Sequence, residues 1–394
     1  MTALDTMGGR HFEASDVVRR DWRLPLAALG VWAAALAGLY GDTVSGLVTA
    51  AGCAGAVLLA RRRPGQVWAA VATVAFGALL ASAVTAVHVA ARDDDALRSL
   101  VTVEAAGRAE LVMDTAPKPS ARTPGVYTAE ARLRSFTADG RTVRGNWRVL
   151  LVASGEEWEE TAAGQRLALT AVVREPDPGR LTAAVVSARG PPEPEGRPSA
   201  PHRLAAYVGE RLAAASTAVP EPEAGLIPAL AVGDDSRMDP GLSQDFRDTG
   251  LVHLVVVSGY HLSLVAGVVL AVAGVLRAGP RTRVAAGAAA VAGIVVVAGP
   301  QPSVLRAAVM SGMMLLALAA GRPRAVMPAL ATAVLVLVLA DPDLAAQAGF
   351  ALSVAACAGL VLLAFRWAEP LEHRGWPQPV ALAVTIPAAT QVAV

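Results

Sequence analysis

Two histidines, a serine and an arginine stand inside otherwise apolar stretches, and the chemistry open to this chain starts with them. His253 and His261 fall in the apolar run 251–276 with Ser258, Gly259 and Tyr260 between them, and Arg306 falls in the run 303–320. An ionisable group at membrane depth is costly and usually faces protein or water, so these residues point to a polar path or an interhelical contact. Helical positions seven apart differ by only about 20° in direction, which puts His253 and Tyr260 on one stripe and His261 on an adjacent face. His253 reads equally well as a solvated residue near the outer interface, whereas His261, deeper in the run, favours a functional or interhelical role. Gly259, Ser263 and Gly267 recur every fourth position, a small-residue stripe that first of all lets a neighbouring helix approach. Ser258 and Gly259 can also mark a break in the helix, tolerable only where freed backbone groups meet protein or a wet cavity, as in the discontinuous helices of transporters. Ser258 as a nucleophile with His261 as its base finds no orienting carboxylate and no oxyanion-hole motif.

Arg306 follows Pro302 and Ser303 by about one helical turn. Its guanidinium either snorkels to the interface or offers planar, permanently charged pairing to phosphate. Asp234, Asp235, Arg237, Asp245, Arg247 and Asp248 precede the His253 run, and read as a solvated loop or as a charged vestibule before a selective mouth. In the polar stretch between the apolar regions, Tyr127, Phe136, Trp147 and Trp158 could stack on bases, with Arg132, Arg134, Arg144 and Arg148 nearby for phosphate. The alternative is that these aromatics are core, and the acidic run Glu156, Glu157, Glu159 and Glu160 argues against a basic funnel. Cys53 and Cys357 both fall in apolar runs and read as free thiols. With no Cys/His cluster and no P-loop, neither a metal nor any other cofactor is expected.

The elements that must position these residues are helices in lipid. Hydrophobic residues make up 54% of the chain and charged residues 17%, below the quarter usual in soluble domains, so a water-soluble fold of this size is not expected. Apolar runs at 24–40, 43–60, 66–91, 251–276, 284–298, 303–320, 325–340, 344–365 and 380–394 predict about nine spans, since roughly 20 residues cross the hydrocarbon core. The run 224–232 is too brief to cross, contains Pro228, and reads as interfacial or re-entrant. No small-residue cleavage site follows a short apolar segment near the N-terminus, so the first span is expected to stay in place. Arginines cluster at 19–23, 61–63, 277–283, 322–324 and 366–374, while the connectors 41–42, 299–302 and 341–343 carry no basic residue. By the positive-inside rule the N-terminus is cytoplasmic and the polar stretch 92–200 lies outside. That stretch shows period-two alternation at 126–134, with further strand candidates at 109–114, 142–153, 165–174 and 181–188. Asp139 with Gly140, and Pro178 with Gly179, supply turn chemistry, and about five short strands suit a small OB-like barrel. A net charge of +1 identifies no nucleic-acid partner.

From residue 224 onward the chain resembles the ComEC family of competence proteins. The resemblance is carried by the segments LAVGDD from Leu230, FRDTGLVHL from Phe246 and VSGYHLSL from Val257. It continues through GPQPSVLRA from Gly299, Gly321 with Arg322, Asp341 with Pro342, and GFALS from Gly349. Where the family commonly has Leu-His-Val this chain has Tyr260, His261 and Leu262, which keeps the histidine. The resemblance implies a mainly helical, polytopic bundle in the bacterial cytoplasmic membrane that admits single-stranded DNA during natural transformation. The implied partners are single-stranded DNA, membrane lipids, a DNA receptor, a motor ATPase and a nuclease, with a homo-oligomer as one way to form the path. On this reading residues 1–98 hold the N-terminal spans, 99–195 the outer OB-like domain, 196–250 an amphipathic linker and vestibule, and 251–394 the channel domain. The channel set would be Asp234, Arg247, His253, Ser258, Gly259, Tyr260, His261 and Arg306, and DNA contact in the β-domain would fall to Arg132, Arg134, Trp147 and Arg148. The role is a conduit, not an enzyme. Many family members also carry a metallo-β-lactamase-like nuclease domain, whose H-x-H-x-D-H cluster is not found among these 394 residues. A natural short form and a segment of a longer protein both fit. The alternative function is a transporter or flippase for a substrate other than nucleic acid.

Overall fold

The computed structural model describes residues 23–41, 43–62, 65–120, 123, 125–158, 161–176, 181–233, 237–249, 259–299, 302–319 and 326–393. Three helices open the chain: α1 (Arg23–Tyr40), α2 (Thr43–Arg61) and α3 (Gln66–Arg92). In apolar surroundings, water does not drive helices together, so close backbone approach has to hold them. Glycines supply it between α1 and α3. A Cβ at Gly30 would come within 2.8 Å of Val74 Cγ1, at Gly38 within 2.7 Å of Thr85 Cγ2, and at Gly77 within 3.0 Å of Val31 Cγ2.

The expected β-domain follows. Helix α4 (Asp95–Thr102) is capped by Asp94, whose carboxylate accepts the Ala96 N–H at 2.9 Å, and its buried Leu97 and Val101 join the β-domain core. The helix runs across position 98, so the β-domain takes its first core residues from just before the boundary read from hydropathy. The strands are β1 (Ala106–Met113), β2 (Lys118–Pro119), β3 (Val126–Ala138), β4 (Arg141–Ser154), β5 (Arg166–Arg174) and β6 (Ala184–Glu195). They are ordered β1-β5-β6-β4-β3-β2, and pairing of β1 with β3 closes five of them into a barrel, with β2 a short addition to β3. Only β4 with β6 is parallel among these pairings. The predicted turn joins β3 to β4, with Asp139 at φ 49° and Gly140 at φ 73°, the positive pair that a tight hairpin with right-handed twist demands. Alternation on β3 turns Tyr127, Ala129, Ala131 and Leu133 inward.

Helices α5 (Ala200–Ser216), α6 (Glu223–Val232) and α7 (Pro240–Asp248) lead from the barrel to the second group. Ten residues with Pro228 inside make α6 too short to cross a bilayer, as expected. The second group is α8 (Gly259–Val275), α9 (Pro280–Ala298), α10 (Pro302–Ala319), α11 (Val326–Ala340), α12 (Ala348–Gly359), α13 (Phe365–His373) and α14 (Gln378–Ala393). The run expected at 344–365 is one helix from Ala348 that continues to His373: a 3₁₀ turn at Pro342–Ala346 precedes it, and a π-helical turn at Leu360–Ala364 carries α12 into α13. Among the described residues four helices are long and apolar enough to cross a membrane: Arg23–Tyr40, Val67–Arg92, Pro280–Ala298 and Ala348–His373. Shorter apolar helices accompany them, including Leu264–Val275, Val304–Met313, Met327–Ala340 and Val380–Ala393.

Two apolar clusters flank α10. On one side Leu262 and Ala266 of α8 and Val291 of α9 pack with Val304 and Ala307. On the other, Leu305, Val309 and Met310 pack against a cluster that joins Val31 and Ala35 of α1 to Leu330 and Val334 of α11 and to Phe350 of α12.

Candidate functional site

Arg306 occupies the second turn of α10, and this helix is enclosed by both clusters, so the side chain is only 6% exposed. Its guanidinium carbon lies 6.0 Å from the centroid of the Phe350 ring, within the range at which a ring face attracts a cation. Phe350 is fully buried and is fixed from behind: its ring centroid is 5.1 Å from that of Trp32, tilted by 50°, and the Trp32 indole N–H donates to the Ala345 carbonyl at 3.0 Å. Cys357, two turns further along α12, lies within electrostatic range of Arg306. Arg306 Nη1 is fully enclosed and has no hydrogen-bond partner among the described residues. A guanidinium does not give up its proton, so its charge persists in this apolar setting and calls for an anion.

The neighbouring backbone is interrupted. Helix α9 ends at Ala298, Gly299 takes φ 78°, and α10 begins at Pro302, so the predicted break at 299–302 exists as the end of one helix and the start of another. His261 is half-buried in the first turn of α8, next to Leu262, which is fully buried against α9 and α10. The structure therefore brings the first turns of α8 and α10 into one cluster. Gly259 and Tyr260 begin α8, while Asp234, His253 and Ser258, and the side chain of Arg247 on α7, lie outside the described residues.

A second polar region lies where the barrel meets the helices. Arg148 of β4 donates to Asp341, and the Leu181 backbone N–H donates to Asp343 at 3.0 Å, so the barrel seats on the start of the Pro342–Ala346 turn. This puts the barrel and the 341–347 connector on the same side of the bundle. Beside this contact a cavity of 190 Å³ is lined by His88 and Arg92 of α3 and by Arg132, Asn146, Trp147 and Arg148 of the barrel. Its arginines are each held by a carboxylate: Arg92 by Asp93 at 2.8 Å, Arg132 by Asp114 at 3.0 Å, Arg148 by Asp341 at 2.8 Å. The hydrogen bond from Arg92 holds the Asp93 carboxyl below its ordinary range against the opposing effect of burial, with Arg98 adding to the pull. Burial works against the charge on Arg148, but Asp341, then Asp343 and Asp114, together outweigh it and hold its pKa above the usual value.

The β-domain residues thus divide. Arg134 is exposed on β3, whereas Arg132 and Arg148 are engaged in ion pairs at the foot of the barrel. Trp147 is 4% exposed, with Tyr127, Phe136 and Trp158 at 7%, 0% and 0%, so the alternative reading of these aromatics as core describes where they sit. A stacking role for Trp147 would require its ring to leave that core. Sequence reasoning did not find Phe350 as the neighbour of Arg306, Trp32 as the support of Phe350, or Asp341 as the partner of Arg148. The signal was present in part, since Asp341 and Phe350 both fall in motifs on which the resemblance rests.

Residues 230–394 match the family described as Competence protein. Over 42 residues the chain is 55% identical to Competence protein ComA of Neisseria gonorrhoeae, a stretch that covers 11% of this chain and 6% of that protein. The match spans only a small part of that relative's length. No solved structure matches the chain.

Proposed function

We propose that this chain, which over residues 230–394 matches the Competence protein family, forms the route by which a single DNA strand crosses the bacterial cytoplasmic membrane during natural transformation. The observation that carries the reading is Arg306: a permanent cation, buried at an interruption between helices of the matched segment, with an enclosed Nη1 that no described residue pairs. A bundle that served only as scaffold would gain nothing from such a group, whereas a path for a polyanion needs one.

The barrel is read as OB-like and extracytoplasmic. The ring order β1-β3-β4-β6-β5 with one parallel contact, β4 to β6, supports the first part. The arginine-bearing ends at 61–63, 277–283 and 366–374 support a cytoplasmic N-terminus and an outer barrel. In this account Arg134 meets the incoming strand, and Arg132 and Arg148 join it when their carboxylate partners are displaced. The strand then passes the vestibule that holds Asp234 and Arg247. It threads between helices beside His253, Ser258, Gly259, Tyr260, His261 and Arg306. A DNA receptor, a motor ATPase and a nuclease act with the chain, which is a conduit and not an enzyme. A serine-directed covalent probe should therefore leave Ser258 unlabelled.

Loss of the protein should abolish the appearance of labelled donor strand in the cytoplasm while DNA still binds at the cell surface, and restoring the gene should restore passage. Normal cytoplasmic delivery without the protein would refute the proposal. A buried guanidinium also suits a phosphate-bearing lipid or metabolite, so a transporter or flippase is the second reading. Under that reading, joint substitution of Arg306 and His261 leaves transformation intact.

A further inference from the structure

Arg306 needs a counter-ion, and its surroundings narrow down what that is. Among the described residues it has no ion pair, and the acidic groups of the α11–α12 connector, which leads into Phe350, are committed elsewhere. Asp341 takes Arg148 on both oxygens, and Asp343 takes the Leu181 N–H and the Gln347 side-chain amide at 3.4 Å. Phe350 offers a π-face, which attracts the cation without neutralising it. The start of α10 adds to the positive potential, because first-turn N–H groups have no partner within a helix and carry the positive end of its dipole. A helix start alone is a weak anion site. Combined with an orphaned, nine-tenths buried guanidinium on the next turn, it has the parts of a built one: a planar fork for two oxygens, backbone donors, and a low-dielectric wall of Phe350 and Trp32.

We infer that Arg306 and the first turn of α10 bind one phosphate-class anion within the bundle. This deepens the uptake reading and rests on it for the source of the anion, the phosphodiester of the incoming strand. The strand would be held one phosphate at a time, with Phe350 keeping the guanidinium in place between occupants.

The test uses the full chain purified in a phosphate-free glycoside detergent and follows thermal unfolding during titration at constant ionic strength. The probes are inorganic phosphate, a short oligothymidylate and short-chain phosphatidylglycerol, with chloride as control. The expected result is a saturable rise in midpoint with phosphate and oligothymidylate but not chloride. Arg306→Gln should weaken the apparent affinity by roughly tenfold or more, as for loss of a charge-assisted pair. Arg306→Lys, which keeps the charge but not the planar fork, should bind phosphate with an affinity between the two and covers the case in which Arg306→Gln does not fold; an unchanged affinity in Arg306→Lys counts against the fork. A rise with phosphatidylglycerol alone sustains the site and identifies a lipid headgroup as its occupant. The absence of a rise with any phosphate probe, or an equal rise in Arg306→Gln, overturns it. The two readings fail separately: Arg306→Gln cells that lose uptake while the protein shows no phosphate response remove the site and leave the route. A phosphate response in a protein whose Arg306→Gln cells take up DNA normally does the reverse.

Discussion

Arg148 donates from one nitrogen, Nη1, to both carboxylate oxygens of Asp341, 2.8 Å from each, across 193 positions of sequence. Asp341 also accepts the Asp343 N–H at 3.3 Å, so the contact stiffens the connector that carries Ala345 under Trp32 and leads into Phe350. The barrel is thereby linked through a short run of bonded residues to the wall of the Arg306 site. Arg148→Met or Asp341→Asn should each loosen this seat by about 1 kcal/mol, and the double variant should cost less than the two together. Faster hydrogen exchange at 181–183 and 341–347 in each variant is the check, and unchanged exchange would refute the linkage.

Glu130 on β3 responds to pH in the opposite sense from a salt-bridged acid. Its tip reaches solvent, yet partial burial, followed by the carboxylates of Asp343 and Asp114, raises its pKa above the ordinary 4.5 against the pull of Arg148. A folded-state value above the unfolded one means that the folded chain holds the proton more tightly. The stabilisation this gives is present below the ordinary value and is lost as pH rises through the folded one. Glu130→Gln should therefore raise the unfolding midpoint at pH 7, with the advantage shrinking as pH falls through the raised folded value and gone below 4.5. An advantage independent of pH would mean that the substitution acts by another route.

The α1–α3 seam tests whether contact distance, and not hydrophobicity, holds these helices. Gly38→Val would drive a side chain into Thr85, 2.7 Å from the ideal Cβ position, and should cost about 1–3 kcal/mol. Gly46→Val on α2, where nothing lies within 4 Å, should be near neutral. Thermal midpoints and membrane levels of the two variants decide it, and equal behaviour would count against the seam.

Cys357 is a native thiol from which Arg306 can be probed. If water and charge reach this part of the bundle, an anionic methanethiosulfonate should modify Cys357 faster than a cationic one, and Arg306→Gln should remove the preference. Equal rates in the unmodified protein would argue against an electropositive passage.

Much of this architecture was legible in the residues. The alternation at 126–134, the turn at Asp139 and Gly140, strand candidates within a few residues of β1, β4 and β5, and one that overlaps the first half of β6 indicated the barrel, because a half-buried strand must alternate. The helices of the bundle were found as runs, but their neighbours were not. In lipid an apolar helix carries little periodicity, so the sequence does not say that α1 faces α11, or that α10 lies between two clusters. The 3₁₀ turn before α12 and the π-helical turn inside the helix 348–373 were equally hidden, since the apolar composition is continuous through all of them. Arg306 was recognisable by type and position, whereas Phe350, Trp32 and the Arg148–Asp341 bond depend on tertiary contacts that no local pattern encodes.

The most direct measurement is delivery of labelled donor strand to the cytoplasm in cells whose own gene carries Arg306→Gln, normalised to the amount of inserted protein. The account predicts that surface binding persists, delivery is lost, and Arg306→Lys, which keeps the charge but not the planar fork, falls between. Delivery at the unmodified rate by a fully inserted Arg306→Gln protein would contradict it.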